Sequence, residues 1–178
     1  VTGDCQKLTD TTPYSVIIQA FGSLVQQLLI EDSEQLKVWQ EEILLAVGQN
    51  GKVITDILPE IELIIGSQPD IAELPAKETQ NRFNTVFIRF VQVFTRQEHP
   101  LFLLLDDLQW VDSASLKLLE LLLSSSDIQY LLVIAAYREN EVDRHHHLNT
   151  TIAEVKRSAK VDLIELQPLS LEDINQLL

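Results

Sequence analysis

The sequence predicts an α/β fold, a parallel sheet flanked by helices, with an additional helical half on the N-terminal side. Two observations predict it. From Pro100 onward, short apolar runs alternate with helical segments: a run at 101–105, a helix over 113–123, a run at 130–136, a helix over 150–158, a run at 161–166 and a helix over 171–178. That is a βαβαβα order, and runs apolar on both faces, joined by helical crossovers, belong to parallel sheets covered by helices. Before Pro100 the apolar residues recur instead at three- and four-residue spacing, the period of amphipathic helices.

Taken in order, Thr12-Pro13 reads as an N-cap followed by proline in a first helical turn, and Ile17, Phe21, Leu24 and Leu28 then share one face. A second helix starts near Asp32 and Ser33, both good caps, carries Leu36, Trp39, Ile43 and Val47, and stops at Gly48. Asn50-Gly51 is a turn signal. Residues 53–58 form a short helical turn ended by Pro59, and for the run at 61–65 strand and helix both stay open, since periodicity does not separate them at that length. Residues 66–75, with two prolines and scattered acids, are a loop. Phe83, Val86, Phe87, Phe90, Val91 and Phe94 then repeat at helical spacing, and an aromatic stripe of that period is read as core packing rather than a cofactor box.

Composition narrows the function classes. The 178 residues suffice for one domain with a sizeable core. With 27 acidic against 13 basic side chains the net charge is −14, and Lys77, Arg82, Arg89, Arg96, Lys117, Arg138 and Arg144 are scattered, so no basic stripe is available for nucleic acid or an anionic membrane. No apolar run approaches a bilayer span, and no signal-peptide pattern opens the chain. Cys5 is the single cysteine, which excludes an intramolecular disulfide or a cysteine zinc cluster and points to the cytoplasm.

The stretch "LFLLLDDLQWVDSASLKLLELLL" (101–123) places Asp106 and Asp107 directly after five apolar residues. Carboxylates at a strand end are costly unless a cation meets them or the chain has reached water, so two readings stand: a metal site, or a solvated strand end. Position favours the first, because ligands of open parallel sheets bind beyond the carboxyl ends of the strands. Asp112 is read as the cap of the helix that opens at Ser113. Gln109 and Trp110 are read as packing and loop residues. His145, His146 and His147 suggest a metal, but three consecutive residues do not converge on one ion from a regular element, so a solvated loop is expected.

An apolar run ending in two acids resembles the Walker B element of P-loop NTPases, and "LLLDDLQWVDSASLKLLELL" is similar to the AAA-like ATPase module of STAND-type signalling ATPases, as found in large multi-domain signalling kinases and transcriptional regulators. "PYSVIIQAF" (13–21), "YLLVIAAYRENEV" (130–142) and "LQPLSLEDINQLL" (166–178) extend the resemblance over most of the chain. It implies a P-loop NTPase-like fold that uses ATP and Mg²⁺. Asp106 would hold the Mg²⁺ shell, Asp107 would orient or activate the attacking water, and Arg138 would sense the γ-phosphate. Many relatives carry Glu where Asp107 stands. For Arg138 a surface ion pair with Glu139 or Glu141 is the other reading.

The departure from that family is the P-loop. None of the five glycines belongs to a G-x-x-x-x-G-K-[ST] motif, which supplies the N–H cradle and the lysine for the β- and γ-phosphates. Residues 1–6 resemble the strand that follows the P-loop helix, so 1–168 is expected to be a partial domain lacking Walker A, and 169–178 the start of a helical lid. The resemblance also sets the P-loop strand between the strands at 130–136 and 161–166, and its lack would leave unpaired backbone in the sheet. Self-association is therefore expected, together with other domains of a larger signalling protein as partners. Two functions follow: a fragment of an ATPase acting as a nucleotide-dependent regulatory switch, or a non-catalytic acidic protein–protein interaction module on the same fold.

Overall fold

Three strands pair in parallel in the order β1 (Thr2–Asp4), β2 (Leu101–Asp106), β3 (Leu131–Ala135). The computed structural model describes residues 1–5 and 13–167. Asp4 lies beside Asp106 and Leu105 beside Ala135, so all three strands end at one level. Between β1 and β2 run α1 (Ser15–Leu29), α2 (Ser33–Val47), α3 (Gly51–Thr55), α4 (Glu62–Ile65) and α5 (Ala76–Phe94). Helix α6 (Ser113–Ser124) joins β2 to β3, and α7 (His147–Ser158) follows. The α/β class, with a parallel sheet and flanking helices, is the one the sequence predicts.

The apolar periodicity becomes the core. Helix α1 buries Ile17, Phe21, Leu24 and Leu28, and α5 buries Phe83, Phe87, Phe90 and Phe94. The Phe21 ring meets Phe87 edge-on at 5.6 Å and Phe90 at 5.7 Å, a geometry that adds a little to the area both rings bury. Leu101, Leu103 and Leu105 of β2 close this core from the sheet side. Gly3 lets β1 lie against α1, since a Cβ there would come 2.6 Å from the Val16 carbonyl oxygen.

Local departures have local causes. Helix α1 starts at Ser15, after a turn at Pro13 and Tyr14, and Thr12 lies outside the described residues. Tyr14 occupies the cap position in the left-handed region (φ 67°) and offers no side-chain cap. Asp112 serves instead. Its Oδ1 accepts from Ala114 N–H (3.0 Å) and Ser115 N–H (2.9 Å), the cap expected for α6, and also from Tyr14 N–H at 3.3 Å, so one carboxylate fixes the starts of two helices. Asn50-Gly51 is not a turn: a 3₁₀ turn over Gly48–Asn50 leads straight into α3, and Gly51 is buried where a Cβ would collide with the Gln68 side chain. The run at 61–65 is helical, closing as α4, so it supplies no strand.

Two differences bear on function. Residues 161–167 carry no regular secondary structure, in place of the strand expected at 161–166, and leave Leu163, Ile164 and Leu166 exposed. A strand exists only through ladder bonds to a neighbour, and among the described residues the sheet stops at β3. The helix expected at 171–178 lies outside the described residues. The second difference is that, among the described residues, helices cover one face only. Phe102 pairs with Leu132 and Leu104 with Ile134 across the β2–β3 ladder, and these four side chains are between 43 and 56% exposed. No helix among the described residues is long and apolar enough to cross a membrane.

Because Asp112 is the shared cap, Asp112→Ala is expected to lower stability by about 2 kcal/mol, at the upper end for one cap. Asp112→Asn, which keeps an acceptor oxygen, should lose less than half of that. Urea midpoints at unchanged m-value check both.

Candidate functional site

The common level of the strand ends puts the loops that leave β2 and β3 on one edge of the sheet, and the acid pair leads out of the central strand. Asp106 is the last residue of β2 and exposed, and one of its carboxylate oxygens accepts from Asp107 N–H at 2.8 Å. Asp107 turns the chain with a left-handed backbone (φ 52°, ψ 40°), which Asp tolerates better than most residues. A 3₁₀ turn over Leu108–Trp110 follows and buries Leu108 and Gln109. Leu108 N–H donates to the Ala136 carbonyl at 3.0 Å, tying this loop to the one that leaves β3.

Arg138 stands in that second loop. Its Nε is 3.4 Å from Asp107 Oδ1, its Nη1 3.6 Å from Glu141 Oε1, and its guanidinium carbon 5.8 Å from the Trp110 ring centre. The ion pair with Glu141 is one of the two foreseen, whereas Asp107 as the nearer partner is not. The Arg138 side chain is 58% exposed, so these pairs are worth well under about 1 kcal/mol each and the guanidinium can change partners. The structure thus brings Asp106, Asp107 and Arg138 to one edge.

Two residues of this site have roles that the sequence does not mark. Gln109 packs as expected, with 5% exposure. Its Nε2 donates to Asp107 Oδ1 (2.8 Å) and its Oε1 accepts from Arg138 N–H (3.1 Å). The histidine run is not a solvated loop throughout: His147 opens α7, and His146 caps it, Nδ1 accepting from Leu148 N–H at 3.2 Å. His146 Nε2 lies 2.9 Å from the Gln109 carbonyl oxygen. Since Nδ1 is an acceptor, Nε2 carries the proton and donates. Among the described residues no three His, Cys, Asp or Glu side chains are grouped to hold a metal.

The model of the AAA ATPase domain matches residues 1–134, three quarters of the chain. The chain belongs to the AAA ATPase domain family. It is also similar to hybrid signal transduction histidine kinase G of Dictyostelium discoideum, 38% identical over 115 residues, which are 65% of this chain and 3% of that protein. The chain therefore spans a small part of that relative's length. No solved structure matches. The part matched to the AAA ATPase domain holds β1, β2 and the two acids, while Arg138 and His146 lie beyond it.

The histidines separate by contact. His146→Ala removes a cap and an interloop bond and should cost about 1–2 kcal/mol, whereas His145→Ala should stay within about 0.5 kcal/mol. Thermal melts of the two variants under one buffer check the difference.

Proposed function

We propose that this chain is the Walker B part of a STAND-type AAA ATPase, a nucleotide-dependent regulatory switch within a larger cytoplasmic signalling protein, and that its P-loop comes from residues outside these 178. Residues 1–168 are then a partial domain and 169–178 the start of its lid. The observation that carries the reading is where the sheet is open. Among the described residues β3 pairs on one side only, and the face of Phe102, Leu104, Leu132 and Ile134 is uncovered, although parallel sheets are ordinarily buried on both faces. A strand seated at the β3 edge whose connection returned to β1 would, by the right-handed crossover rule, send its helix over that same bare face. One strand–helix unit fills both openings, and a P-loop is the turn between such a strand and helix.

The residues on the chain fit part of the ligand. Asp106, an exposed carboxylate at a strand end, suits Mg²⁺ held through its water shell. Asp107 is proposed to orient the attacking water and Arg138 to reach the γ-phosphate after leaving Asp107 and Glu141. The phosphate cradle is the part the chain does not supply. The same apolar face favours a second reading, a non-catalytic interaction module that keeps the fold and docks a partner there.

Calorimetric titration with millimolar Mg-ATP decides how much the missing cradle matters. The chain alone should give no saturable heat, and a micromolar dissociation constant would sink the P-loop argument. In a longer protein that carries the P-loop, Asp106→Asn should abolish hydrolysis, while Asp107→Asn should spare nucleotide binding and slow turnover by about 10²-fold or more. Equal loss of binding in both would remove the separate roles, and a longer protein that never binds ATP leaves the interaction module.

The open edge and face also make self-association the expected state of the isolated chain, since an unpaired edge is a template for another strand. Sedimentation over a tenfold concentration range should show a rising average mass. A strictly monomeric, cooperatively melting species would contradict it.

A further inference from the structure

We infer that Gln109 is a positioning residue that makes Asp107 and Arg138 a single mechanical unit, so that freeing the Asp107 side chain loosens the Arg138 backbone. The inference deepens the ATPase reading, on which the roles of the two coupled residues rest, but the coupling itself is a property of this chain alone.

The amide of Gln109 is used at both ends. Its Nε2 donates to the Asp107 carboxylate and its Oε1 accepts from the Arg138 main-chain N–H. The reverse orientation would set the amide carbonyl against a carboxylate and the NH₂ against an N–H, so the chemistry of the two partners fixes which way the amide points. The backbone of Gln109 is fixed as well, by its carbonyl to His146 Nε2 at the start of α7. A side chain buried to 95% with both polar ends satisfied has no solvent to fall back on when one partner leaves. The direct Asp107–Arg138 ion pair is longer and lies on the solvent side, where water and salt weaken it. Gln109 is thus the shielded link between the acid that follows β2 and the arginine that follows β3. Arg138 can then swing its guanidinium while its main chain stays pinned.

Amide hydrogen exchange of the 178-residue chain, followed by NMR at Arg138 N–H, tests the link without any nucleotide. Ala136 N–H, which donates to the Leu105 carbonyl between the strands that carry the two loops, is the internal reference. Asp107→Gly is the informative variant, because glycine accepts the left-handed backbone at 107 and the change touches neither end of the Arg138 N–H bond. Exchange at Arg138 N–H should rise about threefold to tenfold, the effect of loosening one hydrogen bond, with Ala136 N–H unchanged. Gln109→Leu should raise it at least as much. Repeating Asp107→Gly on an Arg138→Ala background removes the ion pair from the comparison. A rise that persists there supports the Gln109 route, and one that vanishes overturns it. Unchanged Arg138 exchange in Asp107→Gly, or an equal rise at Ala136, also overturns the proposal. If the link holds and the longer protein proves unable to hydrolyse ATP, it is the ATPase reading that falls.

Discussion

Parallel strands cannot be joined by a tight turn, so each connection must travel back across a face of the sheet, and the right-handed rule chooses the face. With strands laid down as β1-β2-β3 in one direction, both crossovers go over the same side. The rest of the structure depends on that constraint. It lays α1 on the side of Leu101, Leu103 and Leu105, with the buried residues of α5 and α6 in the same core, and leaves Phe102 and Leu104 facing away from that core. It also aligns the strand ends, which is why an acid pair leaving β2 and an arginine leaving β3 share one edge although 30 residues of chain lie between them.

Magnitudes separate what holds the molecule from what tunes it. Fully burying one Leu, Ile or Phe side chain is worth about 1.5–3 kcal/mol, so covering four that are about half exposed offers on the order of 1 kcal/mol each. The exposed ion pairs of Arg138 offer less than one of those side chains. On the proposed reading a partner for this domain is therefore drawn to the apolar face and the open β3 edge, and the charged edge governs the chemistry after docking rather than the docking itself.

What the sequence discloses divides along the range of the interaction. Period-3.6 stripes are local statistics, and Phe83 to Phe94 or Ile17 to Leu28 can be placed in the core from spacing alone. The cap role of Asp112 is local too, and legible, but its bond to Tyr14 spans 98 residues and has no sequence signal. The run at 101–105 is uniformly Leu and Phe, so no alternation marks which face is covered, and only the topology decides it. At 161–166 the apolar composition is strand-like, yet strand formation is a relation between two segments and composition names only one. His146 escaped notice because an imidazole is not among the common caps. Gln109 escaped because one glutamine in a loop has no pattern that reveals where both ends of its amide go.

The electrostatics of the edge set a condition on any phosphate ligand. Among the described residues of the loops that leave β2 and β3, Asp106, Asp107 and Glu141 set three carboxylates around the guanidinium of Arg138, in a chain whose net charge is −14. An approaching polyphosphate therefore meets a surface of its own sign, and one exposed arginine already shared between two carboxylates does not reverse it. Two things can: a divalent cation arriving with the phosphate, which satisfies Asp106 and the oxyanions together, and a ring of main-chain N–H groups aimed at the phosphate from a separate loop. On the proposed reading the first is met by Asp106 and the second comes from outside these 178 residues, so that binding and hydrolysis are divided in space, with the acid edge holding the metal and the water and the strength of phosphate binding left to whatever completes the sheet at β3.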